Sequence, residues 1–96
     1  MRKYHVYMLQ CADGSFYIGI TNDLDLRVWQ HNEGIDTHCY TYLRRPATLV
    51  YSTDFDDPNS AISWEKKLKG WSRKKKQALV EDNWAKIQEL SRRKLI

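Results

Sequence analysis

The order of apolar and polar residues along the chain predicts a small sheet near its beginning. Residues 4–10 and 16–20 mix β-branched, aromatic and other apolar side chains, a composition typical of strands. Asp13-Gly14 lies between them and favours a tight turn, so the two strands are expected to form an antiparallel hairpin. A third strand is predicted over residues 48–52.

A helix is expected directly after the hairpin. Thr21 or Asn22 can cap its N-terminus, because a side-chain oxygen there can accept a hydrogen bond from a free backbone N–H. Gly34 can end the helix in a left-handed conformation, which glycine adopts without strain. Residues 34–46 then predict an irregular loop.

Three more helices are predicted in the second half of the chain. The first begins at Asp57-Pro58, a capping residue followed by a proline at the first helical position, and ends at residue 69. Ser72 can cap the next one over residues 73–81, and a last helix covers residues 83–94. The order ββαβα plus C-terminal helices predicts an α+β fold, a small three-stranded antiparallel sheet flanked by helices.

Charge is distributed unevenly along the 96 residues. Residues 1–64 carry five Lys/Arg against eight Asp/Glu, a net of −3, whereas residues 65–96 carry eleven against four, a net of +7. This asymmetry indicates a basic surface that could bind a polyanion, although a solvated helical surface would give the same charges. We assign residues 1–82 to one domain and residues 83–96 to a basic helical extension.

The cysteines and the hydropathy limit the expected cellular location of the protein. Cys11 and Cys39 form no CxxC pair and follow no recognisable secretory signal, so reduced thiols and a cytoplasmic location are expected. No apolar run has the length of a membrane span, and no membrane association is expected.

Two tyrosines of the predicted hairpin, Tyr7 and Tyr17, are the first candidates for chemistry. Each alone is an ordinary strand residue, but the hairpin would bring the two rings near each other. Gly19 follows closely, and a glycine inside a strand can let a ligand or another backbone approach.

Three further side chains could act on a phosphate. Arg27 and His31 lie four residues apart and share one face of the first helix, although a solvated arginine and a surface histidine are the commoner outcome. Glu65 is the only acidic residue between residues 58 and 80, and is either a salt-bridge partner of a lysine or a Mg²⁺ ligand. The sequence contains no Gly-rich phosphate loop, HExxH motif or set of zinc ligands.

Taken together, these residues resemble the GIY-YIG nuclease superfamily, and within it the small, single-domain bacterial YhbQ-like (UPF0213-type) subgroup. The resemblance extends over residues 3–82. The sites that carry it are, in chain order, Val6-Tyr7-Met8, Tyr17-Ile18-Gly19, Arg27, His31 and Glu65. The first signature keeps only its tyrosine, and Ile20 stands where the repair-nuclease branch often has a lysine.

The resemblance implies divalent-metal-dependent hydrolysis of nucleic-acid phosphodiester bonds, in DNA repair or processing. By that resemblance Tyr17 would take a proton from the attacking water and Tyr7 would position the water or phosphate. Arg27 would stabilise the transition state, Glu65 would hold Mg²⁺ or Mn²⁺, and His31 would serve as a relay or phosphate donor.

Basic residues outside this catalytic set are expected to bind the nucleic-acid backbone. The expected partner is DNA rather than RNA, bound by a monomer. Either the chain has low intrinsic selectivity or a separate protein supplies target choice. Two other functions stay open, namely a non-catalytic nucleic-acid-binding module and an interaction domain for an acidic protein partner. The predicted nucleic-acid-binding residues are Arg44, Arg45, Lys66, Lys67, Lys69, Arg73 and Lys74.

Overall fold

A computed structural model describes residues 3–93 and contains one three-stranded sheet. The strands are β1 (Tyr4–Gln10), β2 (Phe16–Thr21) and β3 (Thr48–Phe55). Their order is β2-β1-β3, and β1 pairs antiparallel with both neighbours. The predicted sheet is therefore confirmed, and β3 extends further along the chain than the predicted residues 48–52.

Four helices accompany the sheet, in the order that the sequence predicted. They are α1 (Leu24–Glu33), α2 (Pro58–Lys69), α3 (Arg73–Val80) and α4 (Trp84–Arg93). The α+β architecture of strands, one helix, a strand and three further helices is thus confirmed. Within the predicted irregular loop, Tyr42–Arg44 forms a single 3-10 turn.

One predicted helix cap is wrong and three are confirmed. Asp23, not Thr21 or Asn22, caps α1, because its backbone is extended and its side chain accepts from the backbone N–H of Leu26. Thr21 belongs instead to β2 and accepts from the backbone N–H of Asp23. The confirmed caps are Gly34, left-handed at φ 70°, and the side chains of Asp57 and Ser72.

The central strand is buried on both of its faces. Val6 and Met8 belong to an apolar cluster with buried side chains of α2, α3 and α4, among them Leu68 and Leu79. Alternate side chains of a strand point to opposite faces, so the residues between them enter a second cluster. That cluster contains Tyr7, Leu9, Cys11 and Ala47, with Leu24 and Val28 of α1 packed against it.

Other sequence-based expectations have mixed outcomes. Cys11 and Cys39 are both free thiols, as expected. No helix within residues 3–93 is long and apolar enough to cross a bilayer. Ile87 of α4 is buried in the apolar cluster beside residues of α2 and α3, so this helix packs on the body of the fold. The cytoplasmic location and the domain boundary at residue 82 stay predictions.

Candidate active site

The hairpin register brings the two tyrosine signatures to one face of the sheet. Tyr7 pairs with Gly19, and Leu9 pairs with Tyr17. A Cβ atom on Gly19 would come within 2.6 Å of the Tyr7 ring carbon Cζ. The sequence suggested that Gly19 admits a ligand or another backbone, whereas the structure places the Tyr7 ring in that space.

His31 is a buried partner of Tyr7 rather than a surface histidine. Its side chain comes from α1 and the residue is only 5% exposed. The Tyr7 hydroxyl lies 2.8 Å from Nε2, and the Thr41 hydroxyl lies 2.8 Å from Nδ1. The commoner outcome for such a histidine, a solvated ring, is therefore wrong here.

A chain of hydrogen bonds favours one tautomer of His31. The Thr41 hydroxyl donates to the Cys39 sulfur at 3.5 Å, so its oxygen is left to accept from Nδ1–H of His31. Nε2 then accepts the hydrogen bond of the Tyr7 hydroxyl. Burial, followed by the charge of Arg27, lowers the pKa of His31, so the ring is neutral near pH 7. The neutral imidazole thus accepts a hydrogen bond from the Tyr7 hydroxyl.

Tyr17 lies beside this pair and is more accessible than Tyr7. Its ring centroid is 6.3 Å from that of Tyr7 and 4.9 Å from that of His31. The Tyr40 ring stacks at 6.3 Å on Tyr17, and the Arg44 guanidinium lies 3.9 Å above Tyr40. Burial, with smaller contributions from Tyr7 and Cys39, raises the pKa of Tyr17 to about 12.

Arg27 supplies the positive charge of this face. Burial disfavours its charged form, but hydrogen bonding to Tyr7 and the charges of Tyr7, Tyr17 and Cys39 outweigh burial and raise its pKa. Burial also raises the pKa of Tyr7, and Arg27 opposes that rise. In the free protein at neutral pH, Arg27 is therefore charged and both phenols are protonated.

Glu65 of α2 is half-buried and already has a cationic neighbour. Its side chain is 15% exposed, and its carboxylate lies 3.4 Å from the Lys69 ammonium. The same carboxylate contributes the smallest of the causes that raise the pKa of Tyr7, which places it within electrostatic range of the tyrosine pair. The salt bridge considered from the sequence is therefore present, and the role of Glu65 as a Mg²⁺ ligand stays a prediction.

A shallow cleft opens at Tyr17 between the hairpin and the second half of the chain. Tyr17 and Tyr40 line it together with Lys69 of α2 and Lys76 of α3. Because both lysines come from the basic segment, this part of the site has a positive border. An anionic chain lying in the cleft would pass directly over the Tyr17 ring.

The predicted nucleic-acid-binding residues fall into three groups. Arg44 pairs with Asp13 at 3.1 Å, and Arg73 donates to the Gly14 carbonyl at 2.7 Å, so both lie along the hairpin turn. Arg45 donates to the backbone carbonyls of Tyr42 in its own loop and of Asn32 in α1, and it stacks on the Tyr42 ring. The lysines at 66, 67, 69 and 74 are exposed. Their binding role stays a prediction.

Sequence reasoning missed three residues of the site. Thr41, Cys39 and Tyr40 all lie in the segment predicted as an irregular loop, and all contact the tyrosine–histidine cluster. Thr41 is 1% exposed, although threonines in loops are usually solvated. Irregular loops have no periodic pattern, so no sequence signal could have selected these positions.

Comparison with known proteins agrees with this geometry. The family model described as the GIY-YIG catalytic domain matches residues 3–78. A UPF0213 protein from Staphylococcus saprophyticus is 39% identical over 82 residues, covering 85% of this chain and 99% of the relative. Another from Halobacterium salinarum is 42% identical over 76 residues, covering 79% and 97%.

Two solved structures are also similar. The solution NMR structure of a UPF0213 protein from Bacillus halodurans is 40% identical, has a TM-score of 0.55, and is matched over 82% of this chain and 83% of that one. The solution NMR structure of a protein from E. faecalis is 32% identical with a TM-score of 0.60, over 85% and 86%. On its motifs, its site geometry and these matches, the chain belongs to the GIY-YIG family and, within it, to the UPF0213 group.

Proposed function

We propose that the protein is a nuclease that hydrolyses nucleic-acid phosphodiester bonds at the face built by Tyr7, Tyr17, Arg27 and His31. The observation that carries this proposal is the cleft in which the Tyr17 ring meets Lys69 and Lys76. It combines an accessible phenol with a positive border suited to a phosphate chain. Membership of a family named for its catalytic domain supports the same conclusion.

In the proposed reaction a water attacks the phosphorus, and the bond to the leaving oxygen breaks. Negative charge accumulates on the non-bridging phosphate oxygens, where a fixed guanidinium is most effective. Arg27 is charged, partly buried and hydrogen-bonded to Gln30 at 3.4 Å, so its guanidinium is already ordered on this face.

In this proposal Tyr17 takes the proton of the attacking water. With a pKa of about 12 it is protonated in the free protein, and it must lose this proton before it can act as a base. Tyr7 is buried and hydrogen-bonded to His31, so it holds Tyr17 and Arg27 in place. His31, neutral near pH 7, accepts from Tyr7 and can relay its proton.

The donor set suits a hard cation such as Mg²⁺ or Mn²⁺. Within the described part of the chain, no three His, Cys, Asp or Glu side chains lie close enough to hold a metal alone. Mg²⁺ commonly keeps several waters and binds one or two carboxylates plus substrate phosphates, so Glu65 alone is a sufficient protein ligand. When bound, the cation would supply positive charge that lowers the phenol pKa and neutralises the phosphate. Lys69 would then leave the carboxylate and turn to the phosphate chain.

The proposed substrate is DNA, bound by a monomer along the basic side of the cleft. The arginines that border the hairpin turn, Arg44 and Arg73, and the exposed lysines of α2 would contact phosphates. Phosphate contacts give affinity and salt dependence but little sequence information, so a separate protein would select the target. DNA repair or processing is the setting we assign.

Nicking of supercoiled DNA, with and without Mg²⁺ or Mn²⁺, tests the proposal. We expect nicking with either cation, none in EDTA, and at least a hundredfold loss of rate in Glu65→Gln, since removing one such electrostatic group costs about 10²–10³ in rate. The matched control is Glu89→Gln, which removes an exposed carboxylate of α4 paired with Lys86. It should cut like the wild type.

The alternatives predict different results. If supercoiled, linear and branched DNA and RNA all stay uncut with both cations, the nuclease proposal is wrong. Salt-dependent binding to short DNA would then favour the non-catalytic binding module. Without such binding, the interaction domain for an acidic partner would be favoured.

A further inference from the structure

A second aromatic surface lies among the helices of the C-terminal half. We call it the tryptophan groove, and it lies between α2, α3 and α4 with a volume of about 460 Å³. Its lining side chains include Trp64, Trp71, Trp84, Lys67, Lys75 and Arg92. Three of the four tryptophans of the chain therefore line one groove.

Two of these tryptophans are fixed and the third is open. Trp64 and Trp71 meet edge to face at 5.6 Å, and Trp64 Nε1 donates to the Tyr51 hydroxyl at 3.2 Å. Trp84 begins α4, is 48% exposed, and donates through Nε1 to Asp82. An exposed tryptophan held at one end is a platform on which a flat ring can stack.

The charged side chains that line the tryptophan groove are all basic, although the Asp82 carboxylate accepts from the Nε1 edge of Trp84. Lys67 lies 5.9 Å from the Trp64 ring centroid and Lys75 lies 4.4 Å from that of Trp71. Arg92 of α4 also lines the groove. None of the described residues that line the groove carries a carboxylate. The surface thus suits a ligand that combines flat rings with negative charge.

The tryptophan groove is separate from the catalytic cleft although both use α2. Residues four apart share a helix face, so Glu65 and Lys69 lie together, and Lys69 lines the cleft at Tyr17. Trp64 and Lys67, three apart, share a different face and line the groove. A nucleic acid in the cleft therefore leaves the groove available for another segment.

We propose that the tryptophan groove binds single-stranded nucleic acid, with a base stacked on Trp84 and its phosphates beside Lys67 and Arg92. Single strands offer both unpaired π faces and closely spaced phosphates, and base–aromatic stacking accepts any base. An acidic protein would match the charge but would leave the Trp84 face without a flat partner. This inference rests on the proposed function, because it assumes a substrate with an unpaired segment beside the bond that is cut. The binding itself does not require hydrolysis.

Fluorescence anisotropy of a labelled oligothymidylate at low salt, without divalent cations, tests the groove directly. Trp84→Ala should weaken binding about 5- to 150-fold, the range that corresponds to the loss of one stacked base. Trp84→Phe retains an aromatic face and should recover most of the affinity. The matched control is Trp29→Ala, because Trp29 is 55% exposed on α1 and lies outside the groove.

The lysine contribution is measured by salt dependence. Lys67→Ala should reduce the magnitude of the slope of log affinity against log salt by about 0.7, the value for one phosphate contact on a single strand. Lys86→Ala removes an exposed cation of α4 outside the groove and should leave the slope unchanged. Melting curves of all variants confirm that the folded protein is compared.

The possible outcomes distinguish the proposal for the tryptophan groove from the proposed nuclease activity. If Trp84→Ala and Trp29→Ala both bind like the wild type, or if polyglutamate displaces the oligonucleotide while an unlabelled single strand does not, the groove proposal is wrong. If Trp84-dependent binding is found but no DNA is cut, the groove proposal holds and the proposed hydrolysis fails.

Discussion

Tyr7 and Met8 are adjacent in β1 and both are buried, but their side chains enter two different environments. Met8 belongs to the apolar cluster to which α2, α3 and α4 contribute on one face of the sheet. Tyr7, the preceding residue, faces the other way and joins a hydrogen-bonded chain through His31 to Thr41. Both Met8 and Tyr7 are at most 1% exposed.

The difference shows how a small domain can hold a polar site beside its core. An apolar cluster needs only volume and shape, whereas a buried polar group must have every partner in place. In the described part of the chain, no buried side-chain nitrogen or oxygen lacks a hydrogen-bond partner. We infer that the apolar face provides most of the stability and the polar face provides the chemistry.

The largest expected effect is a loss of stability from the apolar face. Leu68 is fully buried, so Leu68→Ala should lower the free energy of unfolding by about 2–5 kcal/mol, through lost burial and a cavity. Leu43→Ala, at a residue 87% exposed, is the matched control and should change little. Urea unfolding measures both. Equal effects would contradict the division between the two faces.

The second-largest expected effect is a lower rate of DNA nicking when a residue of the polar face is changed. Arg27→Ala should lower the nicking rate about 10²–10³-fold, because the transition-state charge loses its guanidinium. Arg27→Lys should recover part of the rate, since it keeps the charge but not the planar fork. Single-turnover rates and urea unfolding, measured together, check this prediction. A fall in stability as large as that of Leu68→Ala would show that Arg27 is mainly structural.

Gly19→Ala should damage the polar face sterically. The new Cβ would overlap the buried Tyr7 ring, and overpacking of this kind costs about 1–3 kcal/mol. Nicking should fall as well, because Tyr7 positions its neighbours. Gly70→Ala is the control, since its Cβ would meet no atom closer than 3.5 Å. A wild-type melting temperature for Gly19→Ala would contradict the observed packing of Tyr7.

The smallest expected effect is a dependence of stability on pH. The folded-state pKa of His31 lies below 6.5, so the unfolded chain binds the proton more readily and stability is lost as pH falls below about 6.5. His31→Gln should flatten this dependence between pH 7 and the folded-state pKa, while His38→Gln, at an exposed loop position, should keep it. Thermal unfolding across this range tests the pair, and parallel profiles would show that His31 is solvated.

Much of the secondary structure could be predicted from local sequence patterns. The composition of the strands, the Asp57-Pro58 helix start and the Gly34 helix end depend on neighbours in sequence, and the structure confirms them. The first helix cap was misassigned because Thr21, Asn22 and Asp23 are all good capping residues in succession. Only the backbone conformation at Asp23 decides among them.

The site was harder to predict because its contacts are not local. Tyr7 and His31 are 24 residues apart, and no periodic pattern links a strand tyrosine to a helix histidine. The role of Gly19 as space for the Tyr7 ring depends on strand register. Thr41, which favours one His31 tautomer, lies in a loop whose path the sequence does not specify.

The nicking rate of Tyr17→Phe, measured beside its melting temperature, tests the central claim most directly. This change removes one hydroxyl from the polar face and leaves the ring in place. Tyr4→Phe, at the partly buried tyrosine that packs against the apolar cluster, is the matched control. We expect Tyr17→Phe to melt within a few degrees of the wild type and to lose nearly all nicking, while Tyr4→Phe keeps it. If Tyr17→Phe cuts DNA as fast as the wild type, the polar face is not the catalytic site.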